Sequence, residues 1–160
     1  MKLIPLPFET IALRGWTHKA IITAADVAAL GAATTGTLQI VPDVAADTNP
    51  AGMAVHRVGL NLTTAFDASD AAINSLTIEI GDGGDTNRFL GPTEIAVDGT
   101  EILFEVSRLS TYPYAYTTAD GIDAFFTVAG GASPLLNEIN AGQVELYLEL
   151  ENLNEMEVVT

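Results

Sequence analysis

The 160-residue sequence has no cysteine, two histidines, one tryptophan, and only six bases against 21 acids. The missing cysteine excludes disulfides, cysteine nucleophiles, thiolate zinc sites and iron–sulfur clusters. The shortage of Lys and Arg leaves a net charge of −15. That charge argues against nucleic acid and against an anionic membrane as partners, since both demand clustered positive charge. No apolar run approaches the roughly 20 residues of a membrane-spanning helix. The start, Met1–Pro7, is apolar, but Pro5, Pro7 and Glu9 break it up. No secretion address is read, and a soluble chain made in the cytoplasm is expected.

Helical signal is scarce as well. Thr23 is placed to cap a short Ala-rich turn that ends at Gly31, and Ser133–Asn140 has Pro134 in its first turn with Gly142 just beyond. Neither is long enough to make a core.

Strand signal is plentiful. With 48% hydrophobic and 17% charged residues, the chain has the composition of a folded domain. Apolar residues alternate at Leu38/Ile40, Val58/Leu60/Leu62, Leu76/Ile78/Ile80, Ile102/Phe104/Val106 and Ile122/Ala124/Phe126/Val128. The clearest period of two is Val144, Leu146, Leu148 and Leu150, interleaved with Glu145, Tyr147, Glu149 and Glu151. Further strands are expected at Lys19–Thr23 and Tyr112–Thr117. Turn residues separate the runs at Asn49–Gly52, Gly81–Asp85, Asp98-Gly99, Asp120-Gly121 and Gly130-Gly131. The pattern predicts an all-β fold: an antiparallel, jelly-roll-like β-sandwich of about seven to nine strands with one or two short helices. An N-terminal arm is expected over 1–17, the sandwich over 18–151 and an acidic tail over 152–160.

Candidate chemistry is sparse. Ser/His/Asp catalysis needs a histidine as base, and only His18 and His56 exist; no serine sits in a Gly-x-Ser-x-Gly frame. His56 reads as a surface or interface residue at the start of a strand, and the chain is read as no enzyme, with no catalytic residue and no cofactor. Tyr112, Tyr114 and Tyr116 share one strand face, as a sugar platform or contact stripe would, although packing is the commoner explanation of such a stripe. Asp82, Asp85 and Asn87 gather oxygen ligands in a Gly-rich loop, which makes them a weak calcium candidate. The plainer reading is a wide hairpin loop, and the EF-hand pattern fails because Thr93 stands where its Glu is needed.

The charge is split along the chain. Residues 1–60 carry four acids and four bases; residues 61–160 carry seventeen acids and only Arg88 and Arg108. One reading of this is two surfaces, a neutral contacting side and an acidic, solvent-facing side; the plainer one is that acids simply occupy solvated strand faces. Phe8, Ile11, Leu13, Arg14, Trp16 and Lys19 are the partner-contact candidates, since Trp and Arg are enriched at binding hot spots. The alternative is that this segment is simply a first strand of the sandwich.

The segments Gly36–Pro42, Val55–Asp70 (VHRVGLNLTTAFDASD), Leu76–Leu90 (LTIEIGDGGDTNRFL), Asp98–Leu103 (DGTEIL) and Ala124–Glu138 (AFFTVAGGASPLLNE) together resemble small virion structural proteins of tailed bacteriophages. The resemblance implies a capsid decoration (cement) protein on the head exterior, made in the host cytoplasm. It further implies association with the major capsid protein and with copies of itself, as a homotrimer. Tail or head-fibre components, or a glycan-binding adhesion module on the virion, are the alternatives. The resemblance carries no active-site residues to transfer.

Overall fold

Side-chain alternation decides which face of each segment leaves water, and the chain answers with strands. The computed structural model describes residues 3–5, 15–41, 53–95, 104–108, 113–117 and 120–152. Ten strands lie among them: β1 (Leu3–Pro5), β2 (His18–Thr23), β3 (Thr35–Val41), β4 (Met53–Ala68), β5 (Ser75–Asp82), β6 (Asp85–Glu94), β7 (Phe104–Arg108), β8 (Tyr114–Ala115), β9 (Ile122–Ala129) and β10 (Ile139–Asn152). They form two antiparallel sheets. The larger runs β1-β2-β10-β4-β7, with β8 also pairing β4; the smaller runs β3-β9-β5-β6. The fold is the expected all-β sandwich.

The core lies between the sheets. Ala20 and Ile22 of β2, Val58, Leu60 and Leu62 of β4, and Val144, Leu146 and Leu148 of β10 are buried from one side. Leu76, Ile78 and Ile80 of β5, with Ile122, Ala124, Phe126 and Val128 of β9, meet them from the other. Each large aliphatic or aromatic side chain so buried contributes about 1.5–3 kcal/mol.

The long β4–β10 pairing is interrupted where the inward phase must change. Arg57 faces Glu149, but Val55 faces Leu150, so β4 carries an extra residue there, His56. This bulge returns Val55 to the core, in phase with Val58 despite the odd spacing. At the other end of the pairing, Gly142 takes φ +128°, and a Cβ there would lie 2.4 Å from Phe66 Cγ and 2.6 Å from Phe66 Cα.

Both helical expectations land on real features of different kinds. Thr23 does begin a helix, α1 (Ala24–Ala28), and both its N–H and its hydroxyl donate to Asp26 Oδ2, at 2.9 and 2.7 Å. Gly31, at φ +99°, follows as expected. The Ser133–Asn140 segment instead makes one 3-10 turn (Leu136–Glu138) and passes straight into β10. Gly142 is therefore a strand irregularity and not a helix terminator.

The Gly81–Asp85 stretch is also tighter than the wide loop expected of it. β5 runs through Asp82 and β6 starts at Asp85, with Asp82 facing Asp85 and Gly83-Gly84 as the whole connection. Of the Tyr112–Thr117 strand, Tyr114–Ala115 pairs with β4; Tyr112 lies outside the described residues.

Candidate functional site

On the outer face of the larger sheet, bases from early in the chain meet acids from its end. The register brings Lys19 of β2 opposite Tyr147 of β10, and Arg57 of β4 opposite Glu149. Lys19 Nζ reaches Glu145 Oε1 at 2.9 Å, Arg57 pairs with Glu149, and His56 Nε2 lies 2.7 Å from Glu151 Oε2. The Arg57 guanidinium stacks 4.6 Å from the Trp16 ring centroid, and Trp16 lies 5.9 Å from Tyr147. Such a cation held over an indole is attracted by the ring's negative face. Glu145 also accepts from Tyr147 Oη and, at 3.4 Å, from Asn61 Nδ2. Burial alone raises the Glu145 pKa, but hydrogen bonds from Tyr147 and Lys19 outweigh it and hold the carboxyl below the usual glutamate range.

This arrangement corrects the two-surface expectation. Bases from the neutral front and acids from the acidic back of the sequence lie on neighbouring strands of one sheet and pair on one face. Trp16 is likewise no free anchor. It is 5% exposed, and Thr17 beside it binds the β10 backbone, its N–H donating to Leu148 O at 2.9 Å and its hydroxyl accepting from Leu150 N–H at 2.8 Å. Leu3–Pro5 pairs with β2. Where it is described, the 1–17 segment thus lies against the larger sheet, Leu3–Pro5 as a strand of it and Thr17 bonded to β10. Phe8, Ile11, Leu13 and Arg14 lie outside the described residues, as does 153–160 of the acidic tail; Asn152 still belongs to β10.

A second polar centre sits at the β5–β6 hairpin. Asp82 is 1% exposed, the one buried charged side chain among the described residues. Its Oδ1 accepts the N–H groups of Gly84 (3.0 Å) and Asp85 (2.8 Å), which shapes the turn. Its Oδ2 accepts from Arg88 Nε at 2.5 Å and from Tyr116 Oη at 3.4 Å. The Asp82 bond holds the Arg88 guanidinium even more firmly protonated than usual. Burial, reinforced by the charge of Asp82, pushes the Tyr116 phenol up, so it remains a donor. Asp82 therefore spends its oxygens on the turn, a guanidinium and a phenol. Asp85 Oδ1 caps Asn87 N–H at 3.3 Å. Among the described residues no cluster of three or more acids or histidines is arranged to hold a metal ion.

The two described tyrosines of the stripe, Tyr114 and Tyr116, pack inward. Tyr116 is 4% exposed and Tyr114 half-buried; their rings meet edge-to-face at 5.1 Å, and Phe89 packs against both. Arg88 lies over Tyr114 at 4.5 Å. A sugar platform needs the ring faces that this packing covers.

The outer face of the smaller sheet has another character. Thr35, Thr37 and Gln39 of β3 align with Thr127, Phe125 and Asp123 of β9, and Thr77, Glu79 and Gly81 of β5 continue the rows. A shallow, open depression of about 380 Å³ lies there, with Phe125 and Glu79 among its walls. Thr86 donates to Glu79 at 2.9 Å. Sequence reading missed this face, and it named Asp82 and Tyr116 separately without the Asp82–Arg88–Tyr116 contact that joins them. A signal for the latter existed: Arg88 is an isolated base among seventeen acids, six residues after Asp82 across a Gly-Gly turn.

No protein-family model matches the chain, and no curated protein matches it.

Proposed function

We propose that this chain is a structural protein of a tailed-bacteriophage virion, acting as a capsid decoration protein that binds the outer head surface and stabilises the shell. The observation that supports it best is how the described charged side chains are used. Lys19, Arg57 and Arg88 each hold a carboxylate, and these pairs tie strands to one another across the sheets. What remains outward is broad sheet face, suited to binding by area and shape. A shell component works by that kind of contact. Its excess of acid makes free subunits repel one another, which opposes aggregation away from the shell.

Sedimentation with undecorated heads tests this reading. The protein is expected to pellet with heads, to saturate at a fixed ratio to the major capsid protein, and to raise the temperature at which heads rupture. Protein that stays in the supernatant at saturating concentration overturns it.

A further inference from the structure

A β-sheet is open at its two edges, where backbone N–H and C=O groups lack a neighbouring strand. In the smaller sheet those edges are β6 and β3. β6 is protected in the usual ways: it carries Asp85, Arg88, Pro92 and Glu94. β3 carries neither charge nor proline, reading Thr-Gly-Thr-Leu-Gln-Ile-Val; it is regular from Thr35 to Gln39, its one register shift lies between Gln39 and Val41, and among the described residues only β9 pairs with it. In a chain of net charge −15 a seven-residue edge with no charge stands apart.

The register shows which groups are unspent. Val128 N–H donates to Thr34 O at 2.9 Å, so the hydrogen-bonded pairs with β9 fall on Thr34, Gly36 and Leu38. In an antiparallel ladder the alternate residues then direct N–H and C=O the other way. Those residues are Thr35, Thr37 and Gln39, all with exposed side chains.

We propose that β3 pairs antiparallel with β3 of a second copy, about a two-fold axis at Thr37, fusing the two smaller sheets into one continuous sheet. The strand is self-complementary in that register. Thr37 faces the partner's Thr37, and Thr35 faces the partner's Gln39, so uncharged hydrogen-bonding side chains meet on the outer face. On the inner face Leu38 lies opposite the partner's Gly36, whose side-chain position is already filled by Leu30 and Leu136 of its own chain. Leu38 and Leu30 are only partly buried in the single chain, and they would be covered by the pairing. A second copy is the occupant this register fits: about Thr37 each outward hydrogen-bonding residue of β3 meets one of its own kind, Thr37 on Thr37 and Thr35 on Gln39, with no charge to repel its copy. The rest of each −15 body repels the other, so the pairing strengthens as salt screens that repulsion. Its symmetry is two-fold, in place of the trimer that the resemblance implies, and it does not rest on the virion reading.

Sedimentation equilibrium of the full chain at low and high salt tests the proposal. The expected result is a dimer whose dissociation constant falls as salt rises. Thr37→Pro removes an outward N–H while leaving the bonds to β9, and Thr37→Lys places a charge against its own copy. Each is expected to weaken dimerisation by roughly tenfold or more, with unchanged circular dichroism. If Thr37→Pro disturbs the fold, Thr37→Lys decides alone. A protein that stays monomeric at high salt and high concentration overturns the proposal. So does a trimer, or a dimer indifferent to Thr37→Lys.

Discussion

Gly142 shows how much one residue can be asked to do. It sits in the β10 strand at φ +128°, a region that side chains of L-residues rarely enter. Its missing side chain is the space into which Phe66 packs, and one of the atoms in the way, Phe66 Cα, is backbone and cannot rotate aside. Gly142→Ala therefore combines backbone strain of about 1–3 kcal/mol with overpacking of about 1–3 kcal/mol. The sum, about 2–6 kcal/mol, is a large share of a typical domain's total stability. Urea unfolding should show a lower midpoint at unchanged slope, whereas Gly91→Ala, which meets nothing within 4 Å and has no positive φ, should leave the midpoint nearly unmoved. Equal midpoints for the two variants would refute the account. Sequence reading took Gly142 for a helix terminator, because a glycine after a short apolar run signals a helix end as readily as a bulge. Only the opposing Phe66, far away in the chain, distinguishes them.

At the scale of elements, legibility followed the period of two. β10, β5 and β9 bury one face and expose the other, and each was readable from its alternation. β6 was not, because an edge strand with Asp85, Thr86, Asn87 and Arg88 at its start has little apolar face to alternate. The pairing of β2 with β10 was also invisible, yet it sets the acid response of the fold. His18, in β2, is part-buried, and burial lowers its pKa below the usual value of about 6.5. The unfolded chain takes up a proton there before the folded chain does, so stability is complete above about pH 6.5 and declines as pH falls through the lowered value. Glu145 acts at lower pH. Burial raises its pKa, but Tyr147 and Lys19 hold it below the usual value of about 4.3, so its contribution is complete above that pH and is lost as pH falls through the lower folded value. Thermal midpoints should thus fall in two stages on acidification, and His18→Asn should erase the first stage while leaving the second. A profile flat from pH 7 to about 5 in the unsubstituted protein would contradict the His18 assignment.

For the whole molecule the question is which electrostatic effect wins. Cross-strand pairs such as Lys19–Glu145 and Arg57–Glu149 are partly exposed, and such pairs contribute about 0.2–1 kcal/mol each. Against them stands the unbalanced charge: with 21 acids and six bases, most carboxylates have no base available to them however the chain folds. Folding draws these acids together, and the resulting self-repulsion acts over the whole surface. Salt weakens both the pairs and the repulsion, so the sign of its effect reports their balance. Raising NaCl from about 0.01 M to about 1 M shortens the screening length from about 30 Å to about 3 Å. The pairs are short and few, whereas the repulsions are long-ranged and many, so screening removes more repulsion than attraction. The thermal midpoint should therefore rise with salt, by roughly 2–4 °C for each kcal/mol of repulsion relieved. The measurement belongs on the Thr37→Lys variant, where self-association at the β3 edge does not add its own salt dependence. A midpoint that falls with salt would mean that the ion pairs on the larger sheet, and not the surplus of acid, dominate the electrostatics of this fold.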